Sequence, residues 1–416
     1  MSARWVEGNH VSLLENGEEF FPRVSQAIRS ARHHIFFETF ILRDDKVGRA
    51  LQADLIDAAN RQVRVEVTVD AWGSLELPAE FIEAMTSAGV CFHLFDAEPR
   101  WLLKFFWFRR LHRKLIVIDG VRAFIGGINF SADHLADFGP EAKQDYAVEV
   151  LGPIVSQMHA FAVEAVASVH RMPGNARRSA LDVLHTPRNP VRAGKMESRF
   201  VSRDNVRRKN AIERQYRAAI RTARRRVIIA NAYFFPGYRL IREIRNAARR
   251  GVDVRLIMQG QPDMRIVKVC ASMLYQYLLR AGVRIFEYCD RPFHGKVALV
   301  DDEWSTVGSS NLDPLSLSLN LEANLFIRDG SFNERLHESL NRLMKRSCKE
   351  IDDDTAQRRV FWRPLVTSLA FHVMRHFPRW AGWMPKHSPR LTPVPPPSSS
   401  PALDSSSSAL RSEQAR

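Results

Sequence analysis

The sequence predicts an α/β fold built from two similar lobes, and three observations predict it. Ordered matches recur at a spacing of about 190 residues, far longer than any solenoid unit, so the chain reads as a duplicated domain. Apolar, β-rich runs alternate with helix-like segments of mixed charge in both copies. Finally, 416 residues at 45% apolar and 26% charged suffice for two or three cores. That composition excludes a small stapled module, a collagenous chain and a wholly disordered one.

Taken in order, HHIFFETFIL (33–42) parallels RVIIANAYFF (226–235), each an apolar run after a mixed-charge segment. AANRQVRVEVTVDAWG (58–73) parallels AARRGVDVRLIMQGQP (247–262), each the end of a helix followed by alternating strand residues. AGVCFHLFDAEP (88–99) parallels AGVRIFEYCDRP (281–292), and HRKLIVIDGVRAFIGGINFS (112–131) parallels HGKVALVDDEWSTVGSSNLD (294–313). The first lobe is therefore set at residues 1–172 and the second at 197–356. The Pro-, Gly- and Arg-containing stretch 173–196 serves as the linker. Residues 357–387 form an apolar and basic segment, and 388–416 a Pro/Ser tail too polar to bury a core, expected to be disordered.

The 61 Lys and Arg against 46 Asp and Glu give a net charge of +15, which calls for an anionic partner, either nucleic-acid phosphates or anionic lipid head groups. Cys91, Cys270, Cys289 and Cys348 stand apart without a CxxC pair, so neither a zinc ribbon nor a disulfide framework is expected, and a reducing compartment fits. The polar start MSARWVEGNHVSLLENG and the lack of any run of about 18 apolar residues predict neither a signal peptide nor a spanning helix.

The last matched pair carries the chemistry. Both copies contain His-x-Lys-x4-Asp: His112, Lys114 and Asp119, then His294, Lys296 and Asp301. On a strand, His and Lys two residues apart project from one face, while the Asp has the opposite parity. Asp119-Gly120 and Asp301-Asp302 each separate two apolar runs, which is hairpin-turn chemistry, so both Asp residues read as positioning groups. Each copy then presents small residues and an amide, GGIN ending at Asn129 and GSSN ending at Asn311, both 17 residues after the His. Small residues before an amide at a helix start make an oxyanion pocket.

These paired motifs, each followed by its small-residue/Asn element, resemble the phospholipase D superfamily across about residues 5–350, and within it the bacterial cardiolipin synthases. The resemblance implies two phospholipase D-like lobes, each a mixed sheet flanked by helices, packed as a pseudo-dimer around one cleft. It implies His112 as nucleophile and His294 as general acid and base, an order that the near symmetry of the copies leaves open. Lys114, Lys296, Asn129 and Asn311 would bind phosphate and offset its charge. Asp145 and Glu322, each beside a strand-like run after its motif, would fix the tautomers of the catalytic imidazoles. No metal or cofactor is expected, because Lys and Asn already meet the charge of a phosphodiester.

WLLKFFWFRRLHRK (101–114) and VFWRPLVTSLAFHVMRHFPRWAGWM (360–384) combine aromatics with cations as membrane-interface segments do, so peripheral attachment to the cytoplasmic face of the cell membrane is expected. The resemblance implies cardiolipin synthesis from two molecules of phosphatidylglycerol, with no nucleic acid as partner. The alternatives are a phospholipase D-type hydrolase and a nuclease-type phosphodiesterase, the latter using the same charge and aromatics for a strand of DNA. A non-catalytic scaffold has no need for both His/Lys pairs. The basic runs 207–209, 221–226 and 245–250 are read as solvated helix faces.

Overall fold

The computed structural model describes residues 4–97, 110–167, 191–260, 274–352 and 391–397. The apolar/basic segment 357–387, most of the linker and most of the aromatic run 101–114 lie outside the described residues.

The first lobe runs β1 (Val6–Glu15), α1 (Asn16–Arg29), β2 (His34–Thr39), α2 (Lys46–Asn60), β3 (Arg64–Asp70), α3 (Ala79–Ser87), β4 (Cys91–Phe95), β5 (Leu115–Ile118), β6 (Arg122–Gly126), β7 (Tyr146–Leu151) and α4 (Ile154–Ala167). The second repeats the plan with β8 (Met196–Arg203), α5 (Ala211–Thr222), β9 (Arg226–Asn231), α6 (Tyr238–Arg249), β10 (Asp253–Gln259), helical residues 274–279, β11 (Arg284–Tyr288), β12 (Lys296–Val300), β13 (Trp304–Gly308), α7 (Pro314–Ser318), β14 (Glu322–Arg328), α8 (Gly330–Ser347) and β15 (Cys348–Ile351).

All strands among the described residues join one 16-stranded sheet. From its centre outward the order is β1-β7-β6-β5-β2-β3-β4 on one side and β8-β14-β13-β12-β9-β10-β11 on the other. The same connectivity thus occurs twice, related across the irregular β1/β8 pairing of Val6 with Ser198 and Asn9 with Met196. In each lobe three strands pair in parallel, β2/β3/β4 and β9/β10/β11, and the rest pair antiparallel, so the sheet is mixed. The predicted two-lobed α/β fold is borne out.

The strands LIVI (115–118) and VALV (297–300) are buried throughout, as strands covered on both faces must be. One core is shared between the lobes, joining Val148, Met158 and Val163 to Val297, Leu325, Leu336 and Leu340. Each lobe adds an outer core of its own under α1 and α2 or under α5 and α6. The shared core fixes one lobe against the other, and this is what allows a site between them.

The chain is not unstructured throughout from Ser388. Leu391–Val394 forms β16, pairing antiparallel with β4 of the first lobe. Leu391 packs on Phe95, Leu111 and Leu321, so a short apolar anchor overcomes the polar composition around it. Pro393 is tolerated because β16 is an edge strand.

Candidate functional site

The two motifs meet because each is stitched to the opposite lobe. His112 N–H donates to Leu321 O (3.0 Å) and Leu321 N–H to Arg110 O (2.8 Å). In the mirror position His294 N–H donates to Gln144 O (2.8 Å) and Gln144 N–H to Pro292 O (2.9 Å). Each histidine therefore sits in the lead-in to its strand rather than inside it, β5 starting at Leu115 and β12 at Lys296. The pairing puts the residue after each contact, Glu322 or Asp145, beside the histidine of the other lobe.

The carboxylates cross over accordingly. His112 Nδ1 lies 3.1 Å from Glu322 Oε2 and 3.0 Å from Oε1, while His294 Nδ1 lies 2.6 Å from Asp145 Oδ2. Sequence order places each carboxylate after the motif of its own lobe, and nothing local discloses the exchange. Both carboxylates are fully buried and held by further donors. Tyr146 N–H reaches Asp145 Oδ1 (2.8 Å), and the Ser309 hydroxyl donates to Glu322 Oε2. With Nδ1 engaged, Nε2 is the nitrogen that each imidazole has left for chemistry.

Lys114 Nζ donates to His112 O (2.9 Å), and Lys296 Nζ donates to His294 O. Burial and the facing Lys296 ammonium lower Lys114 to about 7. Burial lowers Lys296 to about 8 against the opposing pull of Asp145 and Glu322. Two buried ammonium groups that repel each other are an environment in want of an anion. Burial and these lysines also push both histidines down, His294 well below the ordinary range. Burial alone would raise Glu322, but His112 and Lys114 hold it down, whereas burial leaves Asp145 raised.

Asn129 and Asn311 are buried at the same seam. Asn129 Oδ1 accepts from Ile41 N–H (3.2 Å), so its carbonyl is spent on the scaffold and its amide protons remain for a ligand. The small residues before them act differently from the expected helix-start pocket. A Cβ on Gly127 would lie 2.4 Å from Asp145 Oδ1, and one on Gly126 2.5 Å from Ala147 Cα. These glycines leave room for the strand that carries the carboxylate.

Asp119 and Asp301 stand apart from the reacting cluster, in keeping with their reading as positioning groups at the turns. Each follows its strand at the end away from the lysine, about 16 Å along at the rise of a strand. Asp119 accepts the backbone N–H groups of Arg32 (2.9 Å), His33 (2.8 Å) and His34 (3.0 Å), and Asp301 those of Arg224, Arg225 and Arg226. Both have positive φ, +52° and +51°, a conformation that Asp tolerates better than most residues. They are positioning groups that fix where β2 and β9 begin.

Three side chains near the histidines carry no motif. The Phe40 ring lies 5.1 Å from that of His112, with Lys114 Nζ 5.3 Å from its centre, and Phe40 stacks with the half-exposed Trp72. His134 is wholly buried, its Nε2 accepting from Asn129 N–H (3.2 Å) and its ring edge-on to His294 at 5.8 Å. His134 follows its Asn by five residues, and Ser316 takes the same place in the second lobe. Among the described residues His134, Asp145 and His294 are the group with the spacing of metal ligands, their atoms within 4.8 Å of one another. Lys296 and Lys143 beside them oppose a cation, and Asp145 already accepts from His294.

The description "Cardiolipin synthase, PLD-like domain" matches residues 24–160 and 216–344, one stretch in each lobe. Cardiolipin synthase B of Salmonella typhi is 51% identical over 399 residues, 95% of each chain, and that of Escherichia coli K12 is 49% identical over the same shares. Cardiolipin synthase A of Pseudomonas putida is 35% identical over 81% of this chain and 68% of its own. In solved structures the fold recurs in a phosphatidylserine synthase of Haemophilus influenzae, with a TM-score of 0.64 at 15% identity over 88% of this chain and 95% of that one. It recurs also in a polyphosphate kinase of Porphyromonas gingivalis, with a TM-score of 0.55 at 14% identity over 83% and 49%. The chain belongs to the cardiolipin synthase family of phospholipase D-like phosphatidyltransferases.

Proposed function

We propose that the protein joins two molecules of phosphatidylglycerol into cardiolipin and glycerol through a phosphohistidine. The observation that carries the reading is the pair of imidazoles at the seam of the lobes, each backed by the other lobe's carboxylate and flanked by a buried lysine. His112 Nε2 attacks phosphorus, and the bond to the glycerol oxygen breaks as His294 Nε2–H protonates it. The hydroxyl of the second phosphatidylglycerol then gives its proton to His294. Its oxygen bonds to phosphorus as the P–N bond to His112 breaks.

The electrostatics support this sequence of charges. The free cleft keeps its imidazoles neutral, as a nucleophile requires. A bound phosphodiester anion offsets Lys114 and Lys296 and so lets His294 take up the proton it must donate. Asn129 and Asn311 would meet the non-bridging oxygens. The substrates lie in a membrane, and peripheral attachment on the cytoplasmic side is the arrangement we favour. Among the described residues no helix is long and apolar enough to cross a bilayer.

The test is incubation with phosphatidylglycerol vesicles in chelator, following cardiolipin and phosphatidic acid by mass spectrometry, with His112→Ala and His294→Ala as controls. Cardiolipin that disappears in both variants is expected. Phosphatidic acid alone would make the enzyme a hydrolase and overturn the transfer step.

A further inference from the structure

The duplication supplies an internal control for surface charge. In the first lobe the outer helix pair α1 and α2 carries Glu18, Glu19, Asp54 and Asp57 against Arg23, Arg29, Lys46 and Arg49, a balance of zero. In the second lobe the corresponding pair α5 and α6 carries seven arginines against only Glu213 and Glu243, a surplus of five positive charges. The fold does not require this difference, since the same layer is neutral in its twin.

The arginines form one continuous face. Arg214, Ala218 and Arg221 are exposed at helical spacing on α5, and Arg239, Arg242 and Arg249 on α6. The helices lie side by side and run the same way. Arg239 acts electrostatically on Glu213 at their starts, Arg221 pairs with Glu243 (3.1 Å), and Arg250 donates to Ile220 O (3.1 Å) at their ends. Arg214, Arg239 and Arg249 make no ion pair among the described residues. Tyr238 and Tyr277 are 45% and 38% exposed on the same layer, Tyr277 accepting from Arg245 Nη1 (2.7 Å). The face begins at the catalytic end, because α6 follows the end of β9 at which Asn231 pairs with Lys296.

We propose that this face of α5 and α6 docks on the head groups of an anionic lipid bilayer and so holds the mouth of the cleft against its substrate. Guanidinium groups match phosphate in a fork that lysine lacks, and tyrosine sits well at head-group depth. The inference rests on the reading of the substrate as a membrane lipid and identifies the surface that meets it.

The test uses the full chain and a triple variant, Arg214→Gln/Arg239→Gln/Arg249→Gln, in sedimentation with vesicles of phosphatidylglycerol and phosphatidylcholine. Each exposed arginine is worth about fivefold in partition onto an anionic surface, so the triple variant should lose on the order of 100-fold. Wild-type binding should weaken as salt shortens the screening length. A control variant, Arg23→Gln/Arg29→Gln/Arg49→Gln on the neutral layer, should bind as wild type does. Turnover of phosphatidylglycerol in detergent micelles should be unchanged in the first variant, which also shows that it folds. Equal losses in both variants, or wild-type binding by the first, would overturn the inference, as would a preference of these arginines for duplex DNA over vesicles. Absence of cardiolipin formation by the wild type in micelles would instead count against the proposed reaction and leave the vesicle result standing.

Discussion

Exchanging Glu322 for Gln and Asp145 for Asn, one at a time, separates the two halves of the site. Each exchange keeps the shape and removes the charge that holds the Nδ1 proton of the histidine in the other lobe. The contact is 2.6 Å at Asp145 and 3.0 to 3.1 Å at Glu322, and both acceptors are fully buried, so water cannot substitute. A hydrogen bond to a charged partner is worth about 1.5–3 kcal/mol, which is roughly 10- to 150-fold in rate if it is lost in the transition state. An amide can also present its NH2 to Nδ1 and turn the imidazole to the wrong tautomer, an error that costs up to about 10⁴-fold behind a catalytic histidine. Each variant should therefore lose about 10- to 10⁴-fold in kcat on phosphatidylglycerol. An activated p-nitrophenyl phosphodiester tells the two apart, because its leaving group needs no acid. Asp145→Asn impairs the acid and should keep a stoichiometric burst of nitrophenolate, whereas Glu322→Gln impairs the nucleophile and should lose it. The opposite pattern would reverse the roles of His112 and His294. Full bursts and full turnover in both would refute the claim that the crossed carboxylates orient the imidazoles.

The lysines make the reaction sensitive to alkali: with Lys114 near 7 and Lys296 near 8, the free cleft carries both charges only below that window. The ratio kcat/KM should fall as pH rises through about 7 to 8, and kcat should fall later because bound phosphate keeps the lysines protonated; a flat profile for kcat/KM across that range would contradict the argument. Replacing Asp119 or Asp301 with Ala removes the charged acceptor of three largely exposed backbone amides and puts Ala at positive φ, which should cost about 1–3 kcal/mol in urea unfolding. The protein that remains folded should keep nearly all of its kcat, and a variant of unchanged stability with kcat abolished would make these residues chemical rather than positional.

Much of this architecture is legible in the chain because it is written in local patterns. The apolar runs LIVI and VALV, the turns at Asp119 and Asp301 and the repeat of His and Lys all depend on neighbours a few residues away. The crossing of Asp145 and Glu322 is not legible. It follows from short contacts between lobes, such as Leu111 beside Leu321 and Gln144 beside Phe293, which leave no periodicity. Strand β16 is hidden for a related reason, since four residues among prolines and serines gain order from the free edge of β4 and from the packing of Leu391 on residues distant in the chain. Gly126 and Gly127 read as an anion pocket because small residues serve both purposes. Only the packing of β6 on β7 discloses which one operates here. Phe40 and Trp72 look like ordinary strand and turn residues until the fold sets Phe40 beside His112 and stacks Trp72 on Phe40.

The crossed carboxylates also explain why the two lobes stay fused while diverging. A lobe alone would hold a histidine without its carboxylate and a carboxylate without its histidine. Neither half-site therefore exists until the seam closes, and the shared core that includes Val148, Val297 and Leu336 closes it. A symmetric pair of identical chains could meet the same requirement, but it would force both half-sites to be the same. Fusion removes that constraint, and this chain uses the freedom at three places. Asp145 faces His294 where Glu322 faces His112, His134 stands where the second lobe has Ser316, and a neutral helix pair on one flank corresponds to an arginine-rich pair on the other. The reaction proposed above, in which one imidazole attacks and the other carries a proton, at a surface that by the proposed docking only one flank touches, favours that inequality.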